Sequence, residues 1–397
     1  MARMPRTPLT HATLAQALLD AVRSQPWHLA RDQRRAGAPF THPPSLDLAV
    51  AAFVPGQAPA WANVLFSREL PQGHVAHFAG QAGSVSSVTF QADIVDAQGV
   101  SVAWQPHSDW SGLRFPPLFG EGAVRFVAPY PASLIKLMVA VGVAMLVDAR
   151  RAEWHAPWRH AGHTHSLAEW AEPMITLSSN EATDALVALL HARGLIRRQG
   201  DGDGGSHADA EVHNELHALF ARQGLATLRL ANTRADGGWR NTDGAGVGQL
   251  QMTAWDSLRL LWRLQDDPAP WLAPAVPGRA ADAQAVGADA PELLSRASRV
   301  RLMGWLAAQQ RNEVLSSSSL THVPGWQAGI QGRFAHKTGT TETYASDAGR
   351  VELPGGGHFL IAVLSSLGSA SAPHPDCAAD GSLPRLGAAV EQWLREQ

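Results

Sequence analysis

The stretch from Tyr130 to Val147 constrains the fold of this chain more than any other. It reads Tyr-Pro-Ala-Ser-Leu-Ile-Lys and runs without a break into an apolar segment over residues 137–147, which predicts a buried helix. Ser133 and Lys136 are three residues apart, so on a helix they lie on one face about one turn apart. A desolvated lysine binds its proton less tightly and can act as the base for a neighbouring serine. The stretch therefore predicts a nucleophilic serine at the start of a buried helix, although a Ser-x-x-Lys spacing also arises by chance.

Length, charge and cysteine content narrow the class of protein. The chain has 397 residues and 45% hydrophobic residues, which is typical of a globular protein with a substantial core and more than one lobe. Its 32 basic and 35 acidic residues give a net charge of −3 without a long run of one sign, which argues against a nucleic-acid partner. Cys377 is the only cysteine, which excludes an internal disulfide and a thiolate metal cluster. We expect no cofactor.

Neither a secretory signal nor a membrane span is evident in the sequence. The segment Met1–Arg35 has no apolar core of the length that a signal peptide requires. The longest apolar run, over residues 137–147, is too short to cross a bilayer. We therefore expect a cytoplasmic protein with no membrane partner, or a periplasmic one if a leader has been removed.

The order of predicted elements is strands, then a block of helices, then three strands and a final helix. Strands from both ends of such an order can share one antiparallel sheet, with a helical lobe inserted between them. We predict an N-terminal extension of unknown role over residues 1–80 and one domain over residues 81–397. The helical lobe covers about 137–310, and the sheet lobe about 86–132 and 311–397. The predicted helices are 10–23, 167–172, 180–192, 212–223, 253–264, 291–310 and 384–395; the predicted strands are 47–54, 62–66, a hairpin over 88–94 and 100–104, and 333–337, 345–353 and 359–365.

Two further short motifs follow the serine and lysine along the chain. Ser178-Ser179-Asn180 opens a predicted helix, and capping of that helix explains such a triplet without any catalytic role. Lys337-Thr338-Gly339 ends a predicted strand, where the same residues are ordinary turn chemistry. Each motif is weak evidence alone, but three of them in this order are far more specific.

The ordered motifs resemble those of class A β-lactamases and penicillin-binding proteins, which carry S-x-x-K, S-D-N and K-T-G. The resemblance covers roughly residues 86–396 and includes Gly325-Trp326 ahead of the third motif and the segment Asp347–Arg350 after it. It implies an α+β fold of the β-lactamase/transpeptidase type, with an antiparallel sheet flanked by helices and an inserted all-helical lobe.

The resemblance also implies roles for the motif residues in acyl transfer. Ser133 would attack an acyl carbon and form an acyl-enzyme, with Lys136 accepting or relaying the proton. Ser178 would pass a proton to the leaving group, and Asn180 would bind Lys136 and an amide of the substrate.

The third motif would bind the substrate. Lys337 would add positive potential and attract a substrate carboxylate, and Thr338 would donate a hydrogen bond to it. Gly339 would let the strand approach the substrate closely. The backbone N–H groups of Ser133 and Thr340 would form the oxyanion hole.

The sequence departs from the class A pattern at the deacylation step. The loop that carries the activating glutamate in those enzymes corresponds to residues 224–252, which contain no glutamate. Its two aspartates, Asp236 and Asp243, lie in glycine-rich settings typical of solvated turns. Asp236 lies nearer the expected position, and we predict it as the candidate deacylation base. Ser179 also replaces the aspartate of the second motif.

A serine hydrolase that cleaves an amide or ester, such as a β-lactam or a related small molecule, is the leading hypothesis. The alternatives are a binding or sensing protein that is acylated without turnover, and a D-alanyl peptidase. We expect a carboxylate-bearing small-molecule substrate. The oligomeric state is not predicted.

Four histidines lie close together in the sequence and are a candidate metal site. These residues, at positions 155, 160, 163 and 165, lie among Trp154 and Trp158 and have no cysteine or glutamate partners of the usual metal-site pattern. We therefore predict no metal site.

Overall fold

A computed structural model describes most of the chain. The described residues are 9–40, 42–79, 84–94, 101–104, 108–198, 211–239, 250–266, 292–322, 328–354, 356–371 and 381–397. Residues 267–291, the loop residue Asp243 and the Gly325-Trp326 pair lie outside them.

The described residues form an α+β structure, as predicted. The helices are α1 (His11–Arg23), α2 (Lys136–Asp148), α3 (Leu167–Thr176), α4 (Asn180–Ala192), α5 (Glu215–Arg222), α6 (Ala254–Leu264), α7 (Arg296–Ala307) and α8 (Ser382–Arg395). The strands are β1 (Arg31–Asp32), β2 (Ala38–Pro39), β3 (Leu46–Phe53), β4 (Ala60–Phe66), β5 (His74–Val75), β6 (Phe78–Ala79), β7 (Ser84–Val85), β8 (Val88–Gln91), β9 (Pro117–Phe119), β10 (Val124–Val127), β11 (Pro157–His160), β12 (His163–Ser166), β13 (Ile196–Arg198), β14 (Glu211–Asn214), β15 (Arg229–Leu230), β16 (Leu250–Gln251), β17 (Arg333–Thr340), β18 (Ala345–Glu352) and β19 (His358–Ser365).

The central sheet has six antiparallel strands in the order β17-β18-β19-β3-β4-β5. Strand β3 is buried along nearly its whole length, which is the expected burial of a central strand covered on both faces. Its side chains alternate between two cores, since successive residues of a strand point to opposite faces. Leu48 and Val50 belong to the core shared with α1 and α8, whereas Ala49 and Ala51 belong to the core shared with α2, α4 and α6.

The domain boundary predicted at residue 80 does not separate two packed units. Strands β3, β4 and β5 lie before that residue and supply half of the six-stranded sheet. Strand β3 pairs with β19 over its full length, from Leu46 opposite Ser365 to Phe53 opposite His358. The N-terminal segment is therefore part of the main fold, because its strands and α1 bury the middle of the sheet.

A buried carboxylate ties this N-terminal segment to the helical lobe. Asp47 on β3 accepts hydrogen bonds from Asn63 Nδ2 at 2.7 Å and from the backbone N–H of Ala254 at 2.9 Å, at the start of α6. Burial raises the pKa of Asp47 to about 6, against the lowering effect of these two donors. A negative charge at a helix N-terminus is favourable, so the contact stabilises α6 on the sheet.

The strand predicted over residues 88–94 does not form its ladders with the predicted partner over 100–104, although the backbone N–H of Val102 donates to the Ile94 carbonyl at 2.8 Å. Strand β8 begins at Val88 as expected, but it pairs in parallel with β10 and antiparallel with β9 in a separate three-stranded sheet. The described residues 101–104 contribute only a single bridge position and a turn, and residues 95–100 lie outside the described part. The alternating pattern predicts the strand itself, but the strands with which it pairs depend on contacts far along the chain.

Helix α2 crosses the interior and places the Ser133 turn over the sheet edge. It is apolar on all sides and buried from Lys136 to Ala144, as the sequence predicts for a central helix. The 3₁₀ turn Ala132–Ile135 leads into it and contacts β17 and β18. Among the described residues, no helix is both long and apolar enough to cross a membrane.

Candidate active site

The turn that carries Ser133 has a strained backbone. Ala132, directly before the serine, has φ 51°, a left-handed conformation that a residue with a Cβ adopts at a cost of about 1–3 kcal/mol. The turn is held by a bond from the backbone N–H of Leu134 to the Pro131 carbonyl at 3.1 Å. Ser133 itself is half-buried and lies at the N-terminal end of the buried α2. Strain of this kind concentrates at functional sites, where the surrounding structure holds it.

Lys136 is fully buried, and its ammonium group is satisfied by one neighbouring segment. Its Nζ donates to the Ser178 carbonyl at 2.6 Å, to Ser178 Oγ at 3.0 Å and to Asn180 Oδ1 at 2.8 Å. These three acceptors match the three N–H bonds of an ammonium group. Burial lowers the pKa of Lys136 from 10.5 to about 8. A larger fraction of Lys136 is therefore a neutral amine near pH 7 than for an exposed lysine.

The loop between α3 and α4 presents the second motif. Ser178 has φ 59°, a second left-handed non-glycine residue in the site. Ser179 is the N-cap of α4, with Oγ accepting from the Ala182 backbone N–H at 3.2 Å. The capping function expected for the triplet therefore belongs to Ser179. Because the cap is already provided, the Asn180 side chain is available to Lys136.

Lys337 approaches the same serine from strand β17. It is fully buried, and its Nζ donates to Ser178 Oγ at 3.0 Å and to the Thr338 carbonyl at 2.7 Å. Burial, together with the positive charge of Lys136, lowers the pKa of Lys337 to about 7. Both ammonium groups lie 3.0 Å from one oxygen, and so within about 6 Å of each other, a distance at which like charges weaken proton binding.

Three carboxylates act on the two lysines through their charge. The charge of Asp184 on α4 raises the pKa of Lys136 against the effect of burial. Glu313 and Asp347 act in the same sense on Lys337. Arg311 opposes them, since its charge lowers the pKa of both lysines.

Gly339 brings strand β17 against the Ser133 turn. A Cβ built on Gly339 would lie 2.6 Å from the Pro131 carbonyl oxygen and 2.7 Å from the Leu134 backbone nitrogen. Such distances exclude any side chain, so glycine is required for the close approach of strand and turn. The resemblance implied that Gly339 lets the strand approach the substrate. In the structure, the close approach at Gly339 is between β17 and the Ser133 turn. Thr340 follows directly on the same strand, opposite Ala345.

Ser346 stabilises the contact between β17 and the Ser133 turn, and it belongs to none of the three motifs. It lies opposite Gly339 on β18, and its Oγ donates to the Pro131 carbonyl at 2.5 Å. A buried serine facing a glycine across two strands is the only sequence signal for this role, and it becomes visible only once the register is known.

Four of the five predicted catalytic residues are connected by hydrogen bonds, and Ser133 is the exception. Hydrogen bonds connect Lys136, Ser178, Asn180 and Lys337 directly. Within the described residues, however, the hydroxyl of Ser133 makes no hydrogen bond, and the three acceptors of Lys136 Nζ all lie on Ser178 and Asn180. Catalytic hydrogen bonds are commonly longer before substrate binds, so this geometry is compatible with a serine nucleophile.

Asp236, the candidate deacylation base, lies in an exposed ion pair. Its carboxylate accepts from Arg234 Nε at 2.8 Å and also contacts Arg234 Nη2, and 65% of its side chain is exposed. Its role stays a prediction. A second carboxylate, Asp184, lies one helical turn after Asn180 on α4, outside the loop in which the class A pattern places the base.

The histidines at 155, 160, 163 and 165 lie on or beside the exposed hairpin of β11 and β12. His163 and His165 stack with ring centroids 6.4 Å apart. Among the described residues there is no group of three metal-ligating side chains placed to hold an ion.

Comparisons with known proteins agree with the motifs. The model of the β-lactamase enzyme family matches residues 283–393, which include β17, β18 and β19. A search of curated proteins finds no match.

Three solved structures illustrate the similarity. A mutant of PBP-A, in an acyl-enzyme complex with penicillin G, is 18% identical over 99% of this chain and 100% of that chain, with a TM-score of 0.49. The TLA-3 extended-spectrum β-lactamase is 13% identical over 97% of this chain and 99% of that chain, with a TM-score of 0.48. A β-lactamase from Sphaerobacter thermophilus is 15% identical over 66% of this chain and 81% of that chain, with a TM-score of 0.41.

The family match covers the strand that carries Lys337 and Gly339, the third of the three ordered motifs. The resemblance predicted from the sequence is confirmed over this part of the chain: residues 283–393 are similar to the β-lactamase enzyme family.

Proposed function

We propose that this chain is a serine hydrolase that forms an acyl-enzyme on Ser133 and cleaves an amide or ester bond. The match to the β-lactamase enzyme family over residues 283–393 supports a β-lactam-related serine hydrolase. A β-lactam or a related small molecule with a carboxylate is the proposed substrate. The observation that carries the proposal is the Ser178 hydroxyl, which bridges two buried lysines beside the nucleophile turn.

Lys136 is the proposed base for acylation. Its lowered pKa makes a neutral amine accessible near neutral pH. In the first step the Ser133 hydroxyl proton moves to that amine, and Oγ forms a bond to the acyl carbon. The backbone N–H groups of Ser133 and Thr340 are the proposed donors to the oxyanion.

Ser178 is the proposed proton donor to the leaving group. A hydroxyl oxygen has two acceptor sites, and the two lysine ammonium groups fill both. Its own hydrogen is then free to point into the cleft, toward the leaving nitrogen or oxygen. When the acyl-to-leaving-group bond breaks, Ser178 donates this proton and takes one from Lys136, which returns the amine to its neutral state.

Lys337 and Thr338 are the proposed partners of a substrate carboxylate. Within the described residues the Lys337 ammonium has two oxygen acceptors, Ser178 Oγ and the Thr338 carbonyl. An ammonium group has three N–H bonds, so one remains for a ligand. A negative charge at this position would also offset the repulsion between the two lysines.

The test is acylation of Ser133. The purified full chain is incubated with a chromogenic cephalosporin and with a p-nitrophenyl ester, and the adduct is followed by intact mass and located by peptide mapping. The Ser133→Ala variant is expected to lose both the adduct and the turnover. Ser111→Ala, a change at an exposed loop serine that bonds Asp109, is the matched control and is expected to behave as wild type. Equal rates for wild type and Ser133→Ala would refute the proposal.

A second candidate is a penicillin-binding or sensing protein that is acylated but not turned over. It is favoured by the absence of a glutamate from residues 224–252 of the sequence. The same mass measurement separates the two: a wild-type adduct that persists for hours supports sensing, and one that decays with release of hydrolysed product supports the hydrolase.

A further inference from the structure

Asp184 has an unusual position for an acidic side chain. It lies on α4, four residues after Asn180, so both project from the same face of the helix about one turn apart. Asn180 Oδ1 accepts from Lys136 Nζ at 2.8 Å, which fixes that face toward the site. Asp184 therefore lies just behind the residues of the acylation step.

The carboxylate of Asp184 has no hydrogen-bond or ion-pair partner among the residues that the structure describes, although the residue is half-buried. Half-buried carboxylates are normally satisfied by protein donors or by water. An unpartnered acceptor beside a catalytic lysine is a position where an ordered water can bind.

The loop that lacks the glutamate packs directly on Asp184. Gly237 and Gly238 have φ 104° and 75°, and a Cβ on Gly237 would lie 2.6 Å from the Asp184 carbonyl oxygen. A Cβ on Gly238 would lie 3.1 Å from Asp184 Oδ1. Two consecutive glycines let the loop backbone lie against this carboxylate, where residues with side chains would crowd it.

Four charged or titratable groups face Asp184 from the elements around it: Lys136 on α2, His160 on β11, and Arg234 and Asp236 on the loop. Burial raises the pKa of Asp184, and the charges of His160, Lys136 and Arg234 oppose that rise. A carboxylate with a raised pKa accepts a proton more readily than an exposed one, which suits a general base.

We propose that Asp184 is the general base of deacylation, holding and deprotonating the water that attacks the acyl group on Ser133. This inference rests on the proposed acyl-enzyme function. In the step, a water O–H proton moves to the Asp184 carboxylate, and the water oxygen bonds to the acyl carbon. The bond from that carbon to Ser133 Oγ then breaks, and the proton on Asp184 moves through the neutral Lys136 amine to Oγ. This transfer restores the Asp184 carboxylate, the Lys136 amine and the Ser133 hydroxyl.

Asp184 is better placed for this step than Asp236. The carboxylate of Asp236 is engaged by Arg234 and is largely exposed, whereas that of Asp184 lies behind the site and acts on Lys136. Helix α4 also holds Asp184 more rigidly than a turn could, because the helix is anchored by its Ser179 cap.

The test compares formation and decay of the Ser133 adduct in wild type and Asp184→Asn, with a chromogenic cephalosporin and a p-nitrophenyl ester. The adduct is expected to form within about threefold of the wild-type rate and to decay about 100-fold or more slowly. Asp184→Glu is expected to recover part of the decay rate. Glu181→Gln removes an exposed carboxylate from the same helix and is expected to decay as wild type.

Each other outcome is decisive. Wild-type decay in Asp184→Asn, slow decay in Asp236→Asn instead, or a wild-type adduct that never decays would overturn the inference and leave acylation standing. Absence of any wild-type adduct refutes the proposed function itself. If Asp184→Asn does not fold, the wild-type decay rate is measured from about pH 4 to 8. A fall in rate toward low pH supports a carboxylate base, and a flat profile overturns it.

Discussion

Lys136 and Lys337 donate to the same hydroxyl oxygen, but the chain holds them in different ways. Lys136 leaves the first turn of a buried helix, and a single loop supplies all three of its acceptors. Lys337 leaves a β-strand and has two acceptors within the described residues, one of them the carbonyl of the next residue on its own strand. The two buried lysines therefore suit the two roles that we propose: Lys136, with all three N–H bonds satisfied, as the internal base, and Lys337, with one N–H bond left over, as the donor to a ligand.

The largest expected effect is the loss of the internal base. Lys136→Gln should lower the rate of Ser133 acylation about 100- to 10,000-fold, the usual range for a general base, with both carboxylate-bearing and neutral substrates. Stopped-flow measurement of adduct formation checks this. A loss confined to carboxylate-bearing substrates would contradict the proposed roles, since Lys136 would then act as the carboxylate-binding lysine proposed for Lys337.

The ligand-binding lysine should show the opposite selectivity. Lys337→Gln removes a charged donor, which is worth about 1.5–3 kcal/mol, and so should raise KM for a carboxylate-bearing cephalosporin about 10- to 100-fold. Turnover of a neutral p-nitrophenyl ester should change much less. Steady-state kinetics with the two substrates measure the difference, and equal losses with both would contradict it.

The contact between the two lysine-bearing segments depends on Gly339. Gly339→Ala should cost about 1–3 kcal/mol of unfolding free energy, because its Cβ would collide with Pro131 and Leu134 backbone atoms. Gly304→Ala is the matched control: this glycine is exposed on α7 with no atom within 4 Å of a built Cβ, and alanine should stabilise the helix by about 1 kcal/mol. Urea unfolding of both variants gives the two values, and a neutral Gly339→Ala would show that β17 can move away from the turn.

The smallest effect concerns stability and pH. The folded-state pKa of Lys337 is lowered from 10.5 to about 7, so the unfolded chain binds this proton over that pH range and the folded chain does not. Stability should therefore rise as pH increases from about 7 toward 10, and the penalty should be complete below pH 7. Lys337→Met should flatten this slope and add on the order of 1 kcal/mol at pH 7. Unfolding measured at pH 7 and at pH 9 tests it, and an unchanged slope would contradict the buried-charge explanation.

The residues proposed for acylation lie in elements that the sequence predicted, because each element belongs to a local pattern. Ser133 and Lys136 share a turn, Asn180 begins a helix that was predicted over 180–192 and has those bounds, and Lys337 lies on a strand predicted over 333–337. Local periodicity and short spacings are sufficient for such elements. The sequence predicted less where partners are distant: it did not predict that β3 pairs with β19, or that β8 forms its ladders with β9 and β10 rather than with residues 100–104.

From the amino-acid order alone follow a serine, two lysines and an asparagine of a known hydrolase pattern, in that pattern's order, with a buried helix after the serine. Folding is needed to show that β3, β4 and β5 complete the sheet, that Gly339 packs on the Ser133 turn, and that the charge of Asp184 acts on Lys136. The physical reason is that motifs depend on residues a few positions apart, whereas strand register, close backbone approach and the electrostatic field at a buried lysine depend on residues that only folding brings together.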